Sequence, residues 1–211
     1  MTKESFGRRL ATSVRYRARL ARTAAVRRRL AAQLRGLDRD GYSLISNNCL
    51  AGILYEFAEL KKQTPTAGIF FWGRSFADFL LDLASGHADR WQSLRSDELS
   101  YNEERRSWEK NFGDDGALVF LHYDTPELAV EKWNRRIQRI KDRQLIAIVS
   151  LRDGITARMI TEPAAKLEHL FMVSENEAGP ADEVAFDLKF LNRFSDYLAE
   201  ILCSSLGTRA G

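Results

Sequence analysis

The sequence predicts an α/β fold, in which a three-layer domain holds a mostly parallel sheet with helices on both faces and carries a basic helical extension at its N-terminus. From residue 42 onward, short apolar runs typical of buried strands alternate with segments of helical periodicity. This alternation is typical of parallel sheets, because a helix connects each strand to the next. Residues 5–35 contain no proline and are rich in Ala, Leu and Arg, which favour helix. We therefore divide the 211 residues into a basic arm, 1–40, and an α/β domain, 41–211.

The elements of the domain follow in order, separated by turn-forming residues. The segments predicted as strands are 42–46, 69–72, 117–122, 145–150 and 169–173. The segments predicted as helices are 49–60, 75–84, 126–142, 156–161 and 184–204. Asn48 is a suitable N-cap for the first of these helices, and Thr125 followed by Pro126 is a standard start for the third. Residues 86–116 are polar, and we expect only turns or short strands there.

The helix predicted over 126–142 has two distinct faces. Helical periodicity places apolar side chains on one face, which we expect in the core: Ala129, Val130, Trp133, Ile137 and Ile140. The opposite face is basic, and we expect it in solvent: Lys132, Arg135, Arg136 and Arg139.

Charge is distributed unevenly along the chain. The net charge is +3, but residues 1–36 hold eleven Lys and Arg and one acid, a formal charge of +10, and the remainder carries −7. A basic amphipathic helix over 5–35 suits an anionic membrane surface. Nucleic acid is the rival partner, although only Tyr16 could stack on bases and no nucleic-acid motif is present. The third alternative is packing on its own domain or on a second subunit, since the apolar stripe rotates from Val26 onward.

Composition indicates an intracellular chain. It contains no run of 18 apolar residues, and its N-terminus lacks the apolar segment of a secretory signal. Cys49 and Cys203 lie far apart, so a reducing compartment and a cytoplasmic location are expected. No Cys or His cluster has the spacing of metal ligands, and we predict no metal and no cofactor.

Three reactive side chains follow predicted strands. Cys49 comes after the strand 42–46, His122 ends the strand 117–122, and Asp153 comes after the strand 145–150. In parallel sheets ligands bind beyond the carboxyl ends of strands, so these groups could share one rim as nucleophile, base and orienting acid. The alternative is that Cys49 is a small buried hydrophobe, His122 a structural histidine and Asp153 part of an ordinary turn.

The turn before the first predicted helix offers further binding groups. The amides of Asn47, Asn48 and the helix N-terminus could hold an oxyanion or a phosphate, and the helix dipole favours a thiolate at Cys49. Gly52 would allow a ligand or a neighbouring backbone to approach closely.

Several of these segments together resemble a family of bacterial exopolysaccharide biosynthesis proteins. The segments that carry the resemblance are Tyr42–Cys49 with Gly52, Gln63–Thr66, His122-Tyr123, Glu131–Trp133 with Arg135-Arg136, and Arg152–Gly154, which span about residues 41–175. The resemblance implies an α/β protein of the cytoplasm, peripheral on the inner face of the membrane, that helps make surface polysaccharide. It assigns no reaction, but it places the following residues inside shared motifs as substrate-binding candidates: Ser46, Asn47, Asn48, Trp133 and Arg152.

We therefore expect a transferase that uses Cys49, His122 and Asp153 on a sugar or sugar-phosphate intermediate, with acyl transfer the reaction best suited to a thiolate. The alternative is a non-catalytic adaptor that binds a polysaccharide-assembly enzyme or the membrane through its arm. The sequence leaves open the strand order and whether the chain forms an oligomer.

Overall fold

The structure is a computed structural model that describes residues 24–87, 89–140, 143–173 and 188–208. Most of the predicted membrane-binding segment, 5–23, lies outside these residues, as do residues 184–187 at the start of the predicted C-terminal helix. Within the described ranges, no helix is both long and apolar enough to cross a membrane.

The elements occur close to where they were predicted. The strands are β1 Tyr42–Ser46, β2 Ile69–Trp72, β3 Ser100–Asn102, β4 Ser107–Asn111, β5 Ala117–Phe120, β6 Gln144–Ser150 and β7 His169–Val173. The helices are α1 over 24–39, α2 Leu50–Phe57, α3 Ser75–Ala84, α4 Asp89–Gln92, α5 Pro126–Ile137, α6 Ala157–Lys166 and α7 Leu188–Thr208. Short 3₁₀ turns lie at Ser96–Glu98, Gly113–Asp115 and Gln138–Ile140.

The predicted α/β class is confirmed, but the single mostly parallel sheet is replaced by two sheets. One has the order β1-β6-β7 and is parallel, and the other has the order β2-β5-β4-β3 and is antiparallel. The physical reason is connection length. Only residues 112–116 separate β4 from β5, and a parallel connection needs a crossover of about a dozen residues or more. The polar segment predicted to contain only turns or short strands therefore supplies two strands of the second sheet.

The parallel sheet separates two hydrophobic clusters, and side chains alternate between them along each strand. On β1, Leu44 faces the first cluster, which includes α1, α2 and α7, and Ile45 faces the second. On β6, Ile148 faces the first cluster and Val149 the second, which includes α3, α5, α6 and the antiparallel sheet. Helices therefore cover both faces of this sheet, as predicted.

The described part of the predicted arm is an integral helix of the domain. Leu30, Leu34 and Leu37 are at most 4% exposed and lie in the first cluster, so the rotated apolar stripe packs on the chain's own core. Gln33 bonds α7 twice, donating to the Ser195 carbonyl at 2.8 Å and accepting from the Ser195 hydroxyl at 2.6 Å. Residues 24–39 therefore pack as part of the domain and do not form an arm that is independent of it.

Candidate functional site

Asn47 connects the ends of three strands. Its side-chain amide donates to the Ser150 carbonyl at 3.0 Å and accepts from the Ser150 N–H at 2.8 Å, across from β1 to the end of β6. Its own carbonyl accepts the N–H of Phe71 on β2 at 2.8 Å. Because Asn47 is 0% exposed and all these groups are engaged, it holds the two sheets together and is not open to a substrate.

Ser46 and Asn48 cap the N-terminus of α2. The Asn48 side-chain oxygen accepts the Leu50 N–H at 3.0 Å, and the Ser46 hydroxyl accepts the Ala51 N–H at 2.9 Å. Asn48, predicted as the N-cap, thus lies one residue before the N-cap position, which Cys49 occupies, but its side chain does bond the first amide of the helix. These two amides are satisfied within the chain, so Leu50 and Ala51 offer no N–H group to an oxyanion or a phosphate.

Cys49 lies between this cap and the first residue of β2. Its thiol is half-buried and donates to the Ile69 carbonyl at 3.5 Å. One turn further, a Cβ on Gly52 would lie 2.9 Å from Ala67 Cβ and 3.0 Å from Ala67 Cα. Of the two reasons predicted for Gly52, the close approach of a neighbouring backbone is the one found. Gly52 thereby allows the segment 62–68 to lie directly beside the cysteine turn.

Tyr123 and Arg136 bond the segment that packs against the cysteine turn. The Tyr123 hydroxyl donates to the Ala67 carbonyl at 2.9 Å, and Arg136 Nη1 donates to that carbonyl at 2.8 Å and to the Tyr123 oxygen at 2.9 Å. Burial raises the pKa of Tyr123, the charge of Arg136 opposes this rise, and negative charge on the Cys49 thiol adds to it. Tyr123 is therefore a neutral phenol near pH 7, within electrostatic range of the sulfur.

Arg139 extends the basic side of this cluster along α5. Its Nη1 donates to the Lys62 carbonyl at 2.9 Å, so Arg136 and Arg139 both lie against the segment 62–67. We expected both arginines on the solvent face of the helix, and this is wrong, because each is half-buried. Burial, together with the charges of Arg135 and Arg136, lowers the pKa of Arg139.

The predicted meeting of His122 and Asp153 on one rim does not occur. Leu121, the residue before His122, donates its N–H to the Gly68 carbonyl at 3.1 Å. The Asp153 carbonyl accepts the N–H of Gly73 at 2.9 Å. Five positions of extended chain separate these two glycines, which is about 16 Å and too far for a hydrogen bond between the side chains. The physical reason is that β5 runs antiparallel to β2, so its carboxyl end points the other way.

Arg152 and Asp153 lie together at the opposite end of β2. They form an ion pair at 2.9 Å, and both are half-buried. Asp153 has φ +55°, a left-handed conformation that aspartate tolerates in turns, as the turn prediction required. Their neighbour is the exposed Trp72, whose ring lies 4.0 Å from the Cβ position of Gly154. These two residues therefore belong to a separate surface from Cys49.

Trp133 is a core residue. Its side chain is 1% exposed, its indole N–H donates to the Trp91 carbonyl, and its ring contacts those of Phe71, Phe79 and Phe120. The predicted substrate contact by Trp133 is not available in this structure, whereas its predicted core position on the helix is confirmed.

Sequence reasoning assigned no role to Tyr123 or Arg136, although both lie in the segments used for the resemblance. Helical spacing contained part of the signal. Arg136 is three residues after Trp133 and seven after Ala129, so it borders the core face of α5. The contact of Arg136 with Ala67 depends on residues that are 69 positions apart, which no local pattern indicates.

Three basic residues in the described part of the arm contact the rest of the domain. Arg27 lies over the Phe57 ring at 3.9 Å, Arg29 pairs with Asp196 at 3.2 Å, and Arg35 donates to the Ala58 carbonyl at 3.0 Å. Packing on the domain, one of the three alternatives, is therefore found for residues 24–35. The partner of residues 5–23 stays a prediction.

Two comparisons with known proteins find similarity without an assigned activity. The profile of a family described as "Domain of unknown function (DUF1919)" matches residues 21–167, which include every candidate site residue named above. The chain is also 23% identical over 126 residues to an uncharacterized protein of Haemophilus influenzae. That match covers 60% of this chain and 57% of the relative, so it spans little more than half the length of each.

Proposed function

Because the chain belongs to the family described as Domain of unknown function (DUF1919), whose description names no activity, we propose a function from the site itself: a Cys49-dependent transferase that acts on a sugar intermediate of surface polysaccharide assembly. One observation carries the proposal. A half-buried thiol at the start of α2 bonds Ile69, two residues after Ala67, whose carbonyl accepts from both a neutral phenol and a guanidinium. The resemblance of these segments to exopolysaccharide biosynthesis proteins supports the choice of substrate class.

The chemistry that suits this arrangement is acyl transfer. The Cys49 thiolate attacks the carbonyl carbon of an activated acyl donor, and the donor's leaving group departs with its bonding electrons and takes up a proton from solvent. A sugar hydroxyl then attacks the thioester, loses its proton to solvent, and releases the thiolate. Arg136 can stabilise negative charge on the sulfur and on the acyl oxygen, as a guanidinium does in oxyanion sites, and Tyr123, which donates its proton to Ala67, accepts from Arg136 and helps to hold it in place. This assigns to Tyr123 and Arg136 the supporting roles first expected of His122 and Asp153.

The test replaces Cys49 and uses the chain's second cysteine as the matched control. Cys49→Ala and Cys49→Ser are expected to reduce acyl transfer, read as the acyl content of surface polysaccharide, by roughly a hundredfold or more. Cys203→Ala should leave it unchanged, since Cys203 lies exposed on α7. Thermal unfolding would establish that each variant is folded. Wild-type acylation in both folded Cys49 variants would refute the nucleophile.

We propose as the second candidate a membrane-surface adaptor, favoured by the charge of the N-terminal segment. Residues 1–23 hold seven Lys and Arg and one acid. Each basic residue near an anionic surface contributes about 1 kcal/mol, and salt screens this attraction. Deletion of residues 1–36 would remove the whole basic segment, but it would also remove Leu30 and Leu34, which are buried in the core. The deletion should therefore end at residue 23.

Co-sedimentation with vesicles distinguishes the two candidates. The full chain should bind phosphatidylserine vesicles at low salt, lose that binding at high salt, and ignore phosphatidylcholine vesicles. The chain that begins at residue 24 should bind neither. Absence of binding at low salt, or equal binding by the shortened chain, would remove the adaptor proposal, and neither result depends on Cys49.

A further inference from the structure

Two guanidinium groups that lie against the segment 62–67 have no carboxylate partner among the described residues. Arg136 and Arg139 lie one turn apart on α5, both half-buried, and their hydrogen bonds go to the carbonyls of Ala67 and Lys62 and to the Tyr123 hydroxyl. Neighbouring basic groups are neutralised instead: Arg135 pairs with Glu131 at 2.8 Å, and Lys62 pairs with Glu56. Arg136 and Arg139 therefore carry two positive charges one helical turn apart, and no carboxylate among the described residues pairs with either of them.

Holding like charges together in a partly desolvated position costs free energy, and a bound anion offsets that cost. In each arginine the bonds to residues that the structure describes use only Nη1, so Nε and Nη2 can donate to a further acceptor. A guanidinium presents such donors as a planar fork that matches two oxygens of a phosphate. The backbone bonds also fix both side chains in position, so little rotamer entropy remains to be lost on binding.

The position of this pair relates it to the thiol. Arg136 and Arg139 bond carbonyls of the segment 62–67, and that segment packs against Gly52 and leads into Ile69, whose carbonyl accepts from the Cys49 thiol. A group held by the two arginines would thus lie against the same segment as the cysteine turn. The N-terminus of α2 cannot take this role through Leu50 and Ala51, because Asn48 and Ser46 already accept from those amides.

We propose that Arg136 and Arg139 bind a phosphate group and thereby hold a phosphorylated sugar beside Cys49. The inference rests on the proposed function for the role of the thiol, but binding of phosphate by the two arginines can be measured without it. The same chemistry could come from a lipid headgroup, so the experiment needs separate arms for a soluble sugar phosphate and for a membrane.

The experiment is isothermal titration calorimetry of the full chain at low ionic strength with inorganic pyrophosphate and with glucose 1-phosphate. Arg136→Gln should weaken binding of both probes by about tenfold or more, and Arg136→Lys, which retains a point charge, should lie between it and wild type. Arg139→Gln keeps Arg136 on the segment 62–67 and should also weaken binding. The matched control is Arg135→Gln, next to Arg136 but exposed and paired with Glu131, which should stay within about twofold of wild type.

Other outcomes distinguish a sugar phosphate from a lipid headgroup, and distinguish failure of the phosphate site from failure of the proposed function. In one outcome, phosphatidic acid vesicles compete with glucose 1-phosphate for the wild-type chain but not for Arg136→Gln. This result would identify a lipid headgroup as the phosphate source and would overturn the proposal of a sugar phosphate. Glucuronate binding without phosphate binding, or equal losses in the Arg135 and Arg136 variants, would overturn the phosphate site. Cys49→Ser should bind both probes as wild type does. Loss of transfer in that variant with retained binding supports both proposals, whereas a wild-type chain that binds neither probe ends only this one.

Discussion

Gly116→Ala is expected to lower the free energy of unfolding by about 2 to 6 kcal/mol, the sum of a strained backbone and an overpacked contact. Gly116 precedes β5 with φ +113° and ψ −151°, a conformation that is essentially restricted to glycine. A Cβ there would lie 1.8 Å from the Trp72 carbonyl oxygen. That oxygen cannot move away easily, because the Ser75 hydroxyl bonds both it, at 2.8 Å, and the Ala117 carbonyl, at 3.1 Å.

Gly113→Ala is the matched control for this prediction. Gly113 also has a positive φ, +67°, and lies three residues earlier in the same loop, but nothing is within 4 Å of its Cβ position. Its substitution should cost about 1 kcal/mol, the backbone contribution alone. Urea denaturation of the two variants measures the difference. Equal stabilities would contradict the close contact between β2 and β5 on which the prediction rests.

Asn47→Ala is expected to destabilise the chain by roughly 2 to 5 kcal/mol. The substitution leaves the Ser150 N–H and C=O buried and without their partners, and each such group costs about 1–3 kcal/mol. The backbone bond from Phe71 to Asn47 remains, so the loss should come from the connection between β1 and β6. Because Cys49 is two residues further on, the same variant should also change the reactivity of its thiol.

Asn111→Ala provides the comparison for Asn47. Asn111 is exposed, and its side chain accepts the Gly113 N–H at 2.7 Å, a group that water can solvate after the substitution. We expect a cost of about 0.5 kcal/mol or less there. Thermal unfolding and the rate of thiol labelling measure the two effects. An Asn47→Ala variant as stable as Asn111→Ala would show that this side chain does not stabilise the connection between β1 and β6.

The new assignment of site residues has a common physical origin. Cys49 was expected to share one rim with His122 and Asp153, but Asp153 lies at the opposite end of β2, and Tyr123 and Arg136 bond the segment that packs against the cysteine turn. The direction of β5 separates His122 from Asp153, because it places the carboxyl end of β5, with His122 and Tyr123, beside the start of β2 and leaves Asp153 at the other end. The roles proposed for Cys49, Tyr123 and Arg136 are tested by the substitutions described above.

Local patterns were sufficient for the elements themselves. The bounds of β1, β2, α3 and β7 match the predicted segments residue for residue, because each is a short apolar or amphipathic run between turn-forming residues. The capping role of Asn48 and the start of α5 at Pro126 also follow from neighbouring residues. The α/β class follows from the alternation of these elements.

The sequence by itself thus determined the fold class, most element boundaries and the concentration of positive charge at the N-terminus. The tertiary structure alone decided the division into two sheets, the burial of Arg136 against Ala67, and the packing of residues 24–39 on the core. The physical reason is the range of the interactions. Caps, turns and periodicity act over a few residues, whereas strand partners and buried polar contacts join residues tens of positions apart, whose pairing depends on the packing of the whole domain.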